Sequence, residues 1–596
     1  MKLSDYIADY LHAQDVPCVF EVVGGMITHL LDSLHRRGAI RIVSVHHEQA
    51  AAFAADAFAR MTGVPGVALA TSGPGATNLL TGIASCYYDS SPAVFLTGQV
   101  NRNERKGQRP IRQLGFQETD IVAMARPITK AAWECHAPEA VPAQLQAAFE
   151  LACAGRPGPV LLDLPMDVQR AQVEVPPPRP CDAPDPGPVD AAAVAESLAA
   201  LRAAQRPLIL VGGGLRAARG AEPLRELVAA LGAPVVHSLM AVDALPYAHP
   251  LRAGLLGTYG NRWTNLAIGR SDFLLVLGSR LDVRQTGADT AAFKGDRQIY
   301  HVDCEPGEIN NRVTGCRAIH AHLRAYLAQA VQLACGQRMP GWPAWHAELA
   351  ELRSRWPDTA ELTGVPGLNP NELMHELGRA SPAAAAFVVD VGQHQMWAGQ
   401  SLELAADQRF LTSGGLGAMG FSLPAAIGAA CAVPGRPTVV IAGDGGLQLN
   451  IQEFQTIVRN QLPLKIVVLD NQCHGMVRQF QQSYFEARYQ STLWGYSAPD
   501  FARVAQAYGI EAATIASPGE LPAALARLWR NPQTPFLLHV RIDTFANAYP
   551  KIAFGQPLTE MEPFAKPTAM ESTLAKPRTC IVARTDRRSR RRPAAA

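Results

Sequence analysis

Two polar clusters set behind apolar runs carry the clearest chemistry in this chain. Gly443-Asp444-Gly445 is separated by 24 residues from Asp470-Asn471-Gln472. Residues 439–442 run into the first cluster and 464–469 into the second. Both runs are short and β-branched, and read as buried parallel strands. Between them, apolar residues at 451, 454, 457 and 458 have helical spacing. Strand, turn, helix, strand, turn puts Asp444 and Asn471 at the carboxyl ends of neighbouring strands, where open α/β sheets hold ligands. Two hard oxygen donors with backbone carbonyls nearby suit Mg²⁺ carrying a diphosphate. A plain βαβ unit with a capping Asp would use the same residues; the second polar pair at matching spacing favours the metal–diphosphate reading.

A further acid, Glu48, follows the apolar run 40–45 and opens an Ala-rich helical stretch. A helix dipole favours an acid there with no chemistry implied. The elements that must position these groups alternate along the chain. Residues 1–175 place strands at 18–22, 40–45, 67–70 and 94–96 between helical stretches, and a Pro-rich linker follows at 176–188. A second region, 189–338, has strands at 207–211, 234–237, 273–277 and 298–302. A loose linker, 339–370, holds Trp342, Trp345 and Trp356, and the region 371–560 contains the opening motif. The fold class is α/β, with three doubly wound parallel-sheet domains.

Composition narrows the function classes. The 596 residues carry a formal charge of +2, with 18% charged and 48% hydrophobic residues. Residues 584–596 hold six Arg and one Asp, so the rest of the chain is near −3 and no nucleic-acid-binding body is indicated. The basic tail, 561–596, reads as a disordered solvated end. Eleven cysteines without a CxxC pair suggest neither a disulfide framework nor a zinc site. The start lacks a signal-peptide core, and no apolar run reaches the ~18 residues of a membrane helix, so a soluble cytoplasmic protein is expected.

Around these groups the chain resembles the acetolactate synthase (acetohydroxyacid synthase) large subunit and other thiamine-diphosphate (ThDP) enzymes. The resemblance runs through residues 46–51, Thr71 to Asn78, Gly98-Gln99-Val100, Gly115-Phe116-Gln117-Glu118 and 155–160. It continues at 278–287 and 391–397 and is closest over 411–421. It implies a pyrimidine-binding first domain, a flavin-type central domain and a diphosphate-binding third domain. Asp444, Asn471 and the Cys473 carbonyl would bind Mg²⁺. Glu48 would hydrogen-bond N1′ of the aminopyrimidine, so that the 4′ nitrogen removes the proton from thiazolium C2. Met419 would pack beneath the bent cofactor, and Phe116, Gln117 and Phe480 would line the reaction centre. Gly24, Gly25, Val391, Gln393, His394, Gly417, Gly443, Gly445, Gly446, Gly475 and Met476 would complete the ThDP site. Gly445 and Gly446 would let the backbone approach phosphate. Arg156, Gly213, Leu256, Gly257, Thr258, Tyr259, Gly278, Arg280, Asp282 and Asp303 fall at positions that contact a structural FAD. The reaction implied is decarboxylation of pyruvate, a 2-keto acid donor, with transfer of the acetyl equivalent to a second carbonyl, as in branched-chain amino acid biosynthesis. A homodimer or homotetramer, with Glu48 and Asp444 meeting across subunits, and a regulatory small subunit are also implied.

The chain departs from these relatives on the acceptor side. Phe480 stands where a Trp is usual, Met166 where a Lys is usual, and Asp282-Val283 where Asp-Asp is usual. Val23 and Met26 replace the Pro and Ala of the early Gly-Gly turn, and Asp470-Asn471 replaces Asn-Asn. The loop 101–114 is longer by about six residues and carries Arg102, Arg105, Lys106, Arg109 and Arg112. A basic loop and a widened pocket suit a phosphorylated acceptor, so acetyl transfer to a keto-sugar nucleotide is the first alternative. A simple 2-keto acid decarboxylase or an inactive cofactor-binding scaffold are the others.

Overall fold

The apolar runs fold into three six-stranded parallel sheets, in a computed structural model that describes residues 1–182 and 184–564. The Arg-rich stretch 584–592 lies outside the described residues. The first sheet contains β1 (Cys18–Val22), β2 (Arg41–Ser44), β3 (Gly66–Ala70), β4 (Ala93–Gln99), β5 (Ala131–Glu134) and β6 (Pro159–Pro165), in the order β2-β1-β3-β4-β6-β5. The central sheet contains β7 (Pro207–Val211), β8 (Val235–His237), β9 (Arg252–Leu255), β10 (Phe273–Leu277), β11 (Gln298–Asp303) and β12 (Arg317–His320), ordered β12-β11-β10-β7-β8-β9. The third contains β13 (Ala386–Val389), β14 (Arg409–Thr412), β15 (Thr438–Gly443), β16 (Leu464–Asp470), β17 (Glu511–Ile515) and β18 (Phe536–Arg541), ordered β14-β13-β15-β16-β18-β17. Helices cover both faces, which is why β3, β4, β7, β10, β15 and β16 are buried along their whole length.

Numbered within each sheet, the first and third share the order 2-1-3-4-6-5, whereas the central sheet has 3-2-1-4-5-6, the dinucleotide-fold order. Sheet growth reverses between β1 and β3, between β7 and β10, and between β13 and β15. Crevices open at the carboxyl ends of these strand pairs, and the candidate residues stand there.

The first and third sheets share one core through a pair of helices, Glu48–Thr62 and Ser422–Ala432. Both are rich in alanine, so the backbones come close: a Cβ on Gly428 would lie 1.9 Å from the Ala54 carbonyl oxygen. The Phe53 and Phe421 rings meet edge to face at 5.3 Å. Small residues are what such a close helix crossing requires.

Two segments differ from the expected linker and tail. Within 339–370 the chain forms a helix, Pro343–Arg355, that docks on the central core through Trp342 and Trp345. Its apolar residues, Trp345, Leu349, Leu352 and Trp356, recur at helical spacing, but the charges between them obscured it. Residues 561 and 562, expected in a disordered tail, pair as Met561–Glu562 with Lys551–Ile552. This hairpin joins the central region to the third: Ile552 and Leu558 enter the central core and Ile552 N–H donates to the Thr258 carbonyl at 2.9 Å, while Lys551 Nζ donates to the Tyr484 hydroxyl at 3.4 Å and Phe554 packs edge to face on the Tyr484 ring at 5.8 Å. Among the described residues no helix is long and apolar enough to cross a membrane.

Candidate active site

At the first switch point Glu48 is the opening residue of its helix, which directs backbone N–H groups and the positive dipole end toward its carboxylate. The preceding His47 caps the helix, its Nδ1 accepting from Gln49 N–H at 3.1 Å. Glu48 is buried, and its Oε2 accepts from Asn78 Nδ2 at 2.9 Å. The Thr71–Asn78 turn closes round it because Gly75 has no side chain: a Cβ there would stand 3.2 Å from Glu48 Oε1 and 2.8 Å from Thr71 Cγ2. Gly24 is fixed by the same turn, since a Cβ would meet Thr71 Cβ at 2.4 Å, whereas Gly25 faces open space. Gln117 has a positive φ of 65° and lies against Gly73. Its neighbour Phe116 is 80% exposed, and Val23 is 69% exposed.

The long loop after β4 is pinned, not floppy. Glu118 accepts the backbone N–H groups of Lys106 and Leu114, both at 2.8 Å. Burial opposes its ionisation, but these amides and Arg105 hold its pKa below the ordinary glutamate value. Arg102 pairs with Asp167 at 2.7 Å and Arg105 with Glu134 at 3.0 Å. Of the five cations expected to be available, Lys106, Arg109 and Arg112 make no side-chain ion pair among the described residues.

At the third switch point Asp444 opens a short helix, Asp444–Gln448, directly after β15. Its Oδ1 accepts from Gly445 N–H at 3.0 Å, while its buried Oδ2 has no partner. Burial and then the neighbouring Asp470 raise its pKa, an arrangement a bound cation would relieve. Asn471 Oδ1 accepts weakly from Cys473 N–H at 3.3 Å, and its Nδ2 donates to Gln393 Oε1 at 3.1 Å. Gln393 in turn donates to Gln479 Oε1 at 3.2 Å. Gly475 makes this cluster possible, because a Cβ would lie 1.9 Å from Gln393 Oε1. Asp470, at the position where the relatives have Asn, is satisfied by His539 Nε2 at 2.8 Å and by Gln472. His394 is buried between Gly392 and Gly443; burial pushes its pKa down to about 3, and its Nε2 has no partner. Val391, Met419 and Met476 are half-buried around these groups, and Gly417 has a φ of 70° with open space beside it.

Two of the expected phosphate glycines have other neighbours. A Cβ on Gly446 would meet Asp390 Oδ1 at 2.7 Å, and one on Gly445 would meet His474 Cε1 at 2.8 Å. Their missing side chains thus make room for protein groups. Asp390 itself escaped the sequence reading. Fully buried, it accepts from the N–H groups of Val391, Gly420 and Ser422 and from Ser422 Oγ, at 2.8 to 2.9 Å. It thereby ties the segment holding Gln393 and His394 to the one holding Met419. An Asp ending an apolar strand was the available signal. Phe480 is exposed and packs with Tyr484 and Phe485 at 4.9 and 5.6 Å.

A third group of residues lines a cavity of about 1280 Å³, counting its open mouth, at the switch point of the central sheet. Gly213 and Gly278 sit at the ends of β7 and β10, and Leu256, Thr258, Tyr259, Arg280, Asp282, Asp303 and Arg156 also line it. Gly257 does not: with φ of 115° it lets the backbone approach the Arg284 carbonyl, 2.3 Å from where a Cβ would stand. Arg156 reaches in from the first region, bonded to Glu305 at 2.9 Å and Glu308 at 3.0 Å. Asp282 is spent on capping the turn Val283–Thr286. Arg156, Arg280 and Arg284 with Asp303 and Glu308 offer guanidinium donors for a diphosphate and carboxylates for sugar hydroxyls.

Among known proteins, the chain matches three descriptions: "Thiamine pyrophosphate enzyme, N-terminal TPP binding domain" over residues 1–124, the "central domain" over 194–330 and the "C-terminal TPP binding domain" over 390–540. It is 38% identical to the acetolactate synthase isozyme 2 large subunit of Escherichia coli, covering 94% of this chain and 99% of that one. It is 35% identical to a probable acetolactate synthase large subunit of Methanocaldococcus jannaschii, covering 97% of each. It is 36% identical to a chloroplastic acetolactate synthase 2 of Nicotiana tabacum, covering 93% of this chain and 84% of that one. The chain belongs to the thiamine-pyrophosphate enzyme family and is an acetolactate synthase-like member of it.

Proposed function

With that membership as premise, we propose that the protein is a ThDP- and Mg²⁺-dependent carboligase that joins the acetyl unit of pyruvate to a second 2-keto acid. When bound, ThDP supplies the carbanion that releases CO₂ from the donor and passes on its acetyl equivalent. The chain's part is to hold and activate it. Glu48 is placed to share a proton with N1′ of the aminopyrimidine, its carboxylate oriented by Asn78. Asp444, Asn471 and the Cys473 carbonyl would hold the cation, with His394, Gln393 and the Gly443–Gly446 turn about the diphosphate. Met419 would keep the cofactor bent, and Gln117, Phe116 and Phe480 would face the substrates. The observation that carries this reading is Asp444, a buried carboxylate with an unpartnered oxygen at the crevice of the third sheet, beside Asn471. We further propose that the central cavity takes FAD in a structural role, and that exposed Phe116 and Val23 face a second copy, making a homodimer the smallest active unit. Since several relatives are named large subunits, a small regulatory subunit is a further candidate partner.

Pyruvate incubated with the protein, ThDP and Mg²⁺ should yield acetolactate, and a chelator should abolish it. CO₂ and product appearing only after a keto-sugar nucleotide is added would replace the proposed acceptor with that one. The free charges of Lys106, Arg109 and Arg112 favour this second reading, and their replacement by Ser would then raise the acceptor KM. CO₂ without any carboligation would mark a decarboxylase, and no turnover a scaffold. An absorbance band near that of oxidised flavin in the purified protein tests the FAD assignment.

A further inference from the structure

Three buried polar atoms without a hydrogen-bond partner surround one turn, Gly443–Gly446: Asp444 Oδ2, His394 Nε2 and the Tyr496 hydroxyl. The first two belong to the cation–diphosphate site proposed above. Tyr496 has no role in it so far. It lies after the helix Gly475–Tyr484, in an irregular segment that folds back over the metal turn. That return is fastened at both ends. The Thr492 carbonyl accepts from His474 N–H at 3.0 Å and Thr492 Oγ1 donates to Gln481 Oε1 at 2.5 Å. Ala498 N–H donates to Gln472 Oε1 at 3.3 Å. The Tyr496 ring packs against His474 with centroids 4.4 Å apart.

Gly445 fixes where the phenolic oxygen ends. A Cβ on that glycine would lie 3.3 Å from Tyr496 Oη and 2.8 Å from His474 Cε1. The hydroxyl therefore reaches the backbone of the turn one residue from Asp444. A phenol is protonated at neutral pH and can donate. Buried hydroxyls nearly always have a partner; the Asp444 carboxylate faces this one without a well-formed hydrogen bond to it, and with Asp444 taken up by a cation the hydroxyl is left to a ligand oxygen.

We propose that Tyr496 is a further side chain of the cation–diphosphate site, donating its hydroxyl hydrogen bond to a diphosphate oxygen held at the Gly443–Gly446 turn, with His474 as the wall that positions its ring. This rests on the reading that Asp444 carries the cation. The test uses the full-length apo-protein and the variant Tyr496→Phe, which removes only the oxygen. ThDP and, separately, inorganic pyrophosphate are titrated at saturating Mg²⁺, with tryptophan fluorescence as the signal. Thermal unfolding of the apo-protein is measured alongside. The expected result is a Kd weakened about tenfold for both ligands, the loss of one hydrogen bond to a charged group. The unfolding midpoint of the apo-protein should not fall. An unchanged Kd for both ligands overturns the proposal, as does a lowered midpoint with unchanged Kd, which would make the hydroxyl structural. Asp444→Asn separates the two readings. If it leaves Mg²⁺-dependent ThDP binding intact, the cation assignment fails; if it abolishes binding while Tyr496→Phe does not weaken it, only the Tyr496 assignment fails.

Discussion

The first and third sheets have the same strand order, 2-1-3-4-6-5, and are joined back to back through one pair of helices, yet the polar groups at their crevices differ in kind. After its second strand the first sheet offers Glu48, a carboxylate with a side-chain donor in Asn78 and open, exposed neighbours in Phe116 and Val23. After the same strand the third sheet offers the Met419 segment, held by Asp390, with no acid presented. After its third and fourth strands the third sheet offers Asp444 and Asn471 in a tightly bonded cluster. The matching ends of the first sheet carry the Thr71–Asn78 turn and Gln99, whose amide is used internally on Asp163 and Thr119. One frame thus serves two tasks. On the proposed function the third crevice would bind, with the unpartnered Asp444 Oδ2 as its cation ligand, and the first would exchange a proton through Glu48. The topology positions a crevice, and the residue after each strand decides its chemistry.

This division predicts a separation of effects. Glu48→Gln should lower kcat by about 10²–10⁴ while leaving the ThDP dissociation constant within a few-fold; turnover close to wild type would break the contrast. Asp444→Asn should do the reverse in emphasis, weakening Mg²⁺-dependent ThDP binding by about 100-fold, measured by calorimetry. A variant that binds cofactor normally but fails in turnover would merge the two roles. Gly428→Ala probes the joint between the sheets: its Cβ would meet the Ala54 carbonyl at 1.9 Å, and a destabilisation of about 1–3 kcal/mol or more is expected in denaturant unfolding.

The smallest effect concerns a latch that ties the third region to the linker before it, with no hydrogen bond among the described residues to either crevice's named acids. His375 bonds Asp358 at 3.1 Å and Glu403 at 2.9 Å, with Arg379 also on Glu403 and the Tyr247 ring 5.6 Å away. Burial would lower the pKa of His375, but the bonds to Asp358 and Glu403 and their charges outweigh it and hold it above the ordinary value. Burial would raise Asp358, and the His375 and Ser401 bonds hold it below. A raised histidine stabilises fully below its unfolded pKa of about 6.5 and loses that stabilisation as pH rises through its folded pKa; a depressed Asp stabilises above about 3.9 and loses it as pH falls. The stability gap between wild type and His375→Gln should therefore be widest near pH 5 to 6, by about 1–2 kcal/mol, and shrink above neutrality. A gap that widens above pH 7 would contradict the assigned charges.

Much of the frame was visible in the sequence because parallel strands buried on both faces leave unbroken apolar runs, as at 207–211 and 273–277. Asp444 was visible because it follows such a run directly, and Glu48 because it opens an Ala-rich helix shortly after the strand Arg41–Ser44. The helix Pro343–Arg355 was missed because His346, Glu348, Glu351 and Arg353 interrupt its apolar stripe. Asp390 was missed because one acid at a strand end gives no hint of the four donors that converge on it from other segments. Tyr496 lies in a stretch without periodicity, and its approach to Gly445 depends on tertiary folding alone. The core shared by Ala54 and Gly428 was likewise hidden: alanine reads as helix, and nothing local names its partner.

The hairpin made by residues 551 and 552 with 561 and 562 has a consequence for the order in which the molecule can be assembled. Ile552 and Leu558 complete a core whose other members end near Trp356. At about 5–20 residues per second, a ribosome emits the intervening stretch in roughly 10–40 seconds. Over that interval the nascent central domain is missing one patch of its wall, while the whole third domain is synthesised and folds beside it. Residues 552 and 558 then close a unit begun long before, so a ribosome that stalls or a chain cut before residue 551 leaves an apolar scar on the middle of the protein.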